Sequence, residues 1–170
     1  MPDSRPAVVL IGPPGAGKTK VAKRVSRTLG LPFTDTDKAI VAEHGDIAAI
    51  FAEHGEPYFR ALEREAVAAA LLTPGVVSLG GGAVLDPRTQ ADLRELPVVL
   101  LTVTADAVGP RIAGAKRPLL ASGGVAAWSA LVEQRMPTYE SLAKARFDTS
   151  TTPMDTVAQR VVDWLGKDHS

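Results

Sequence analysis

Residues 12–19, Gly12-Pro13-Pro14-Gly15-Ala16-Gly17-Lys18-Thr19, match the pattern G-x-x-x-x-G-K-[ST]. The apolar run 7–11 leads into them and a helix-patterned stretch begins near Lys18. That order has a chemical reason. Strand, glycine-rich turn and helix start bring backbone N–H groups together at a helix N-terminus, where they can cradle a phosphate. In such a loop the lysine reaches the β- and γ-phosphates and the hydroxyl of the last residue binds Mg²⁺. A Gly/Pro-rich connection with an exposed lysine is the plainer alternative, and the match and its strand-to-helix context both oppose it.

Further residues could work beside a bound nucleotide. Asp35 and Asp37 stand two apart after a short strand candidate, and in extended backbone such carboxylates share one side. Asp37 could instead cap the following helix. Arg60 could pair with Glu56 or Glu63 on a helix surface, an arrangement worth a few tenths of a kcal/mol. The triplet Gly80-Gly81-Gly82 follows an apolar strand. Three glycines weaken a chain unless its backbone must approach something closely or take positive φ, so a second anion cradle competes with a tight turn. The segment from Arg111 through Lys116 and Arg117 to Gly124 is basic, glycine-punctuated and without sustained period. It reads as a lid or an ordinary solvated loop, and beside a phosphate loop Arg117 could neutralise charge on a transferring group. Arg135 precedes Pro137, which is expected to end a helix, so that Arg135 could simply cap carbonyls.

The elements that must position these groups alternate. Strand patterns fall at 7–11, 31–34, 76–79, 98–103 and 146–148, and helical patterns at 18–29, 46–51, 56–72, 87–95, 125–135 and 156–165. A βαβα order implies a mostly parallel sheet covered by helices on both faces, with ligands outside the carboxyl ends of its strands. No internal repeat, low-complexity tract or linker divides the chain, so residues 1–170 are expected to form one domain.

Composition narrows the partners. With 19 basic and 19 acidic residues among 170, there is no general drive toward nucleic acid or an anionic membrane, and anion binding must be local. The absence of cysteine removes thiolate chemistry and disulfides, and the histidines, His44, His54 and His169, are scattered. The N-terminus lacks a signal-peptide profile, and no apolar run approaches the roughly 18 residues that span a bilayer. A cytoplasmic protein is expected.

Taken together, the phosphate loop, Asp35-Thr36-Asp37, Phe59-Arg60, Gly80-Gly81-Gly82-Ala83, Arg117-Pro118-Leu119-Leu120 and Arg135-x-Pro137-x-Tyr139 resemble the shikimate kinase family from first strand to last helix. The resemblance implies a three-layer α/β P-loop kinase fold, like that of nucleoside monophosphate kinases, with a five-stranded parallel sheet flanked by helices. It further implies a substrate-binding segment about 34–63, a mobile lid about 112–124, and a monomer. Its implied activity is transfer of a phosphoryl group from ATP, with Mg²⁺, to the 3-hydroxyl of shikimate. The implied nucleotide contacts are residues 12–19 with Arg111, Arg117 and Pro153, the last flanking adenine together with Arg111. Thr19 would bind the metal and Asp35 would reach it through water. Asp37, Arg60, Glu63, Gly80, Gly81, Gly82 and Arg135 would hold shikimate, the two arginines on its carboxylate, and Lys18, Asp37 and Arg117 would serve catalysis. One departure is Lys20-Val21-Ala22, where the family often has a glycine in its first helix, a matter of helix packing. The rival readings are a kinase for another small hydroxy acid such as gluconate, and a nucleotide-binding module without catalysis.

Overall fold

Five strands form one parallel sheet in the order β2-β3-β1-β4-β5: β1 (Pro6–Ile11), β2 (Phe33–Asp35), β3 (Gly75–Ser78), β4 (Val98–Thr102) and β5 (Ala145–Asp148). The computed structural model describes residues 5–113 and 123–168. Among the described residues its helices are α1 (Lys18–Leu29), α2 (Thr36–His44), α3 (Ile47–His54), α4 (Glu56–Ala70), α5 (Pro87–Leu93), α6 (Ala105–Ile112), α7 (Gly124–Leu142) and α8 (Met154–Asp168), with a 3₁₀ turn at Ala83–Leu85.

The central strands are near-continuous apolar runs because both faces of the sheet are covered. Successive side chains alternate between the faces, which divides the core in two. Val8, Leu10, Val99 and Leu101 pack with Val21 and Val25 of α1 and Val157 and Val161 of α8. Val9, Ile11, Val98 and Leu100 pack instead with Val67 of α4 and with Tyr139 and Leu142 of α7. A third cluster of Ile40, Ile50 and Phe59 ties α2, α3 and α4 into a separate flank. Helix α7 belongs to both main cores: Trp128 near its start lies in the first and Tyr139 in the second. It therefore passes from one face of the sheet to the other.

Several expectations need correction. Pro137 does not end a helix, because α7 runs on to Leu142. A proline deprives the carbonyl four residues earlier of its partner. Here that residue is Glu133, which is exposed like Pro137 itself, so water can take the amide's place. Pro110, with exposed Asp106 four residues before it, is tolerated in α6 for the same reason. Arg111 and Ile112, read as part of an aperiodic segment, are the last turn of α6, and Gly124 opens α7. Helix α2 was absent from the periodicity because only Thr36 and Ile40 are buried along it. A short recurrence also went unread: Ala42-Glu43-His44-Gly45 and Ala52-Glu53-His54-Gly55 are identical, and each closes a helix on a capping glycine.

Close packing on the second face predicts that Leu100→Ala, at a fully buried position, lowers the unfolding free energy by about 2–5 kcal/mol in urea denaturation. A loss below about 1 kcal/mol would mean that this face is not tightly packed.

Candidate active site

The sheet order brings distant sequence together. β1 and β3 are hydrogen-bonded neighbours, so the loop after β1 and the glycine triplet after β3 lie side by side at the carboxyl edge. β2 pairs with β3, Asp35 beside Ser78, and places the acidic residues next in the row.

In the loop, Gly12 has φ 146°, and a side chain there would fall against the Leu101 carbonyl of β4, so only glycine fits. Every carbonyl from Gly12 to Gly17 has a protein donor. Lys18 Nζ donates to Gly12 O at 2.7 Å and Pro13 O at 3.0 Å. Trp128 Nε1 donates to Pro14 O at 2.8 Å, Arg111 Nη1 to Gly15 O at 3.0 Å, and Thr149 Oγ1 to Ala16 O at 2.7 Å. The Gly17 carbonyl accepts from Val21 N as the first bond of α1. A turn whose carbonyls are directed to protein donors presents its amides to the other side, as an anion nest requires.

Asp35 and Asp37 both line the adjoining cavity, but only Asp35 does so from extended backbone, Asp37 being already helical. β2 stops at Asp35, whose carboxylate caps α2 by accepting from Lys38 N and also accepts from Thr19 Oγ1 at 2.9 Å. Asp37 lies in the first helical turn and is not the cap. The capping role therefore falls to Asp35 because the favoured N-cap geometry is extended backbone, which Asp35 has.

The glycine triplet is built for close approach. None of its residues has positive φ. A Cβ on Gly80 would lie 2.6 Å from Asp37 Oδ1, one on Gly81 3.0 Å from the Pro14 ring and 3.4 Å from Arg135 Nη1, and one on Gly82 2.5 Å from Arg60 Nη1. Arg60 makes both expected pairs, an exposed one to Glu56 at 3.2 Å and one to the buried Glu63 at 2.8 Å that lies in the cavity wall. Glu63 is only 4% exposed. Burial pushes its carboxyl above the ordinary range, against the pull of the Arg60 guanidinium. Arg135 is buried within α7 and, with the helix continuing beyond it, does not cap the helix end. Tyr139, fully buried, donates to Gly81 O at 2.6 Å. Burial raises its hydroxyl to about 12, with nearby Arg135 opposing the shift, so it stays a donor.

These groups enclose one cavity of about 590 Å³, lined by the phosphate loop, Asp35, Asp37, Arg60, Glu63, the triplet, Arg111 and Arg135. Arg111 also donates to Thr149 Oγ1 and O, which fixes its guanidinium beside the loop. Pro153 is exposed and starts α8 by accepting from Thr156 and Val157; Met154, its neighbour, lines the cavity where Pro153 does not. Arg117 and the centre of the expected lid lie outside the described residues. Sequence reasoning missed Trp128, Thr149 and Met154. Thr149 directly follows β5, so its place at a strand's carboxyl end was the one available signal; Trp128 and Met154 had none.

The shikimate kinase family model matches residues 14–166. The chain belongs to the shikimate kinase family. A shikimate kinase of Saccharopolyspora erythraea is 45% identical over 170 residues, covering 97% of each chain. The solved shikimate kinase of Acinetobacter baumannii in complex with shikimate superimposes with a TM-score of 0.89 at 27% identity, covering 96% of this chain and 94% of that one. A gluconokinase of Sinorhizobium meliloti, at 20% identity and a TM-score of 0.63 with 96% and 93% covered, shares the fold alone. The expected α/β P-loop kinase architecture is thus observed.

The buried Glu63 gives a signed expectation for pH. A carboxyl whose folded pKa is raised holds its proton preferentially in the folded state, so its favourable contribution is full below the unfolded value and is lost as pH rises through the folded value. Urea melts from about pH 4 upward should show wild type losing stability relative to Glu63→Gln across that window. A pH-independent difference between the two would contradict the raised value.

Proposed function

We infer that this chain catalyses ATP-dependent phosphorylation of shikimate, at its 3-hydroxyl, in aromatic biosynthesis. The observation that carries this is a phosphate loop and a two-arginine, three-glycine cradle facing one cavity, with Asp37 between them.

The residue roles follow from chemistry. The loop amides and Lys18 hold the β- and γ-phosphates. Arg60 and Arg135 suit the shikimate carboxylate, because planar guanidinium forks match it in a way lysine does not. Glu63 fixes the Arg60 fork, and the glycines admit the ligand close to the backbone. Asp37 accepts the hydrogen bond of the reacting hydroxyl and aims it at the γ-phosphate. Phosphoryl transfer depends mainly on positioning and charge stabilisation, so alignment is its chief contribution, with proton acceptance secondary.

Thr19 Oγ1 and Asp35 offer hard oxygen donors at the loop. Among the described residues no group of three or more His, Asp or Glu forms a cage, which fits an ion that keeps most of its shell for water and phosphate. We assign Thr19 as a Mg²⁺ ligand and Asp35 as its contact through water; bound there, the ion would neutralise phosphate charge. Arg111 is assigned to the adenine side of the nucleotide with Pro153, and Arg117 to the transferring phosphoryl group by family resemblance alone. A monomer and a cytoplasmic setting rest on the family resemblance alone.

A coupled assay for ADP release is expected to show turnover with shikimate and none with gluconate; the reverse result would sink this reading. Lys18→Ala should lower kcat by about 10²-fold or more. Arg135→Ala should mainly raise the KM for shikimate, and an unchanged KM would misplace the carboxylate site. Gly82→Ala should push the Arg60 fork aside and raise that KM about tenfold or more, with a stability change under about 1 kcal/mol because only the flexible end of a side chain must move.

A further inference from the structure

We propose that Trp128 is a positioning residue for the phosphate loop, setting its distance from the glycine-triplet cradle. Trp128 is 3% exposed, and its indole N–H reaches across to Pro14 O at 2.8 Å. Pro14 occupies a special place in the loop. Its ring is the nearest neighbour of Gly81, 3.0 Å from where a Cβ would stand, so it is where the two halves of the cavity touch. The same α7 carries Arg135 and Tyr139, and Tyr139 grips the other side of that contact through Gly81 O at 2.6 Å. Positions 128, 135 and 139 are spaced seven and four apart, which places them on one helical stripe.

The result is a closed circuit: α7 to Pro14, Pro14 to Gly81, Gly81 to Tyr139, and back to α7. One rigid helix therefore holds both walls. Without the indole N–H the half-buried Pro14 carbonyl loses its partner, and the loop backbone loses the contact that fixes it against α7. The loop would then shift relative to the cradle, and alignment of phosphoryl donor and acceptor would suffer more than acceptor binding.

The kinetic part of this inference rests on the shikimate kinase reading; the nucleotide-binding part does not. Trp128→Phe keeps an aromatic ring and removes the donor, whereas Trp128→His retains a ring N–H that can overlay the indole nitrogen. In folded protein, Trp128→Phe is expected to weaken ADP binding by calorimetry about tenfold and to lower kcat at least as much, with the KM for shikimate within about twofold of wild type. Trp128→His should recover ADP affinity to within about threefold of wild type. A purely structural tryptophan would lower the melting temperature of both variants and leave ADP affinity and kcat per folded molecule unchanged, which overturns the proposal. So does Trp128→His binding ADP no better than Trp128→Phe. If Trp128→Phe does not fold, Trp128→His decides by itself: ADP affinity weaker than the threefold limit overturns the proposal and affinity within it supports it. Absence of wild-type turnover with shikimate would overturn the functional reading while the ADP comparison still judges Trp128.

Discussion

A loop that offers its amides to a phosphate must send its carbonyls the other way, and each of those carbonyls needs a donor. Much of this molecule is arranged to meet that requirement. The donors come from Lys18 within the loop, Arg111 at the end of α6, Trp128 near the start of α7 and Thr149 after β5. Apart from Lys18 they come from α6, α7 and the end of β5, far along the chain, so the loop's conformation is held by distant parts of the fold and not by its own glycines alone. Gly12 answers a complementary constraint, since any side chain there would meet the Leu101 carbonyl.

The second cradle obeys a different rule. Its glycines have ordinary backbone angles and exist to leave room for the Asp37 carboxylate, the Pro14 ring and the Arg60 guanidinium. Charge is balanced locally around that space. Glu56 and Glu63 hold Arg60 in place, and burial of Glu63 means that its pairing is made in a desolvated wall where solvent screens little. A local concentration of guanidinium groups thus coexists with zero net charge in the chain, because the field is set by neighbours a few ångströms away.

The motifs were legible because they are local. Residues 12–19 specify a phosphate loop through spacing alone, and the alternation of strands and helices specified a parallel sheet. Other features were hidden for reasons that local pattern cannot show. Helix α2 buries too little to display a period, and α7 passes through Pro137 because the carbonyl it orphans faces water. The pairs Arg60–Glu56 and Arg60–Glu63 were visible as spacings, yet the place of the second in a cavity wall was not.

The sequence by itself determined that a phosphate-loop motif follows the first strand, and, through its combined motifs, which family the chain belongs to. Only the tertiary structure decided which groups meet: sheet order sets the triplet beside the loop, and α7 crosses between the two cores to join them through Trp128 and Tyr139. The physical reason is that local spacing fixes hydrogen bonds within one turn, whereas satisfying buried carbonyls and carboxylates draws on whatever donors packing brings within reach.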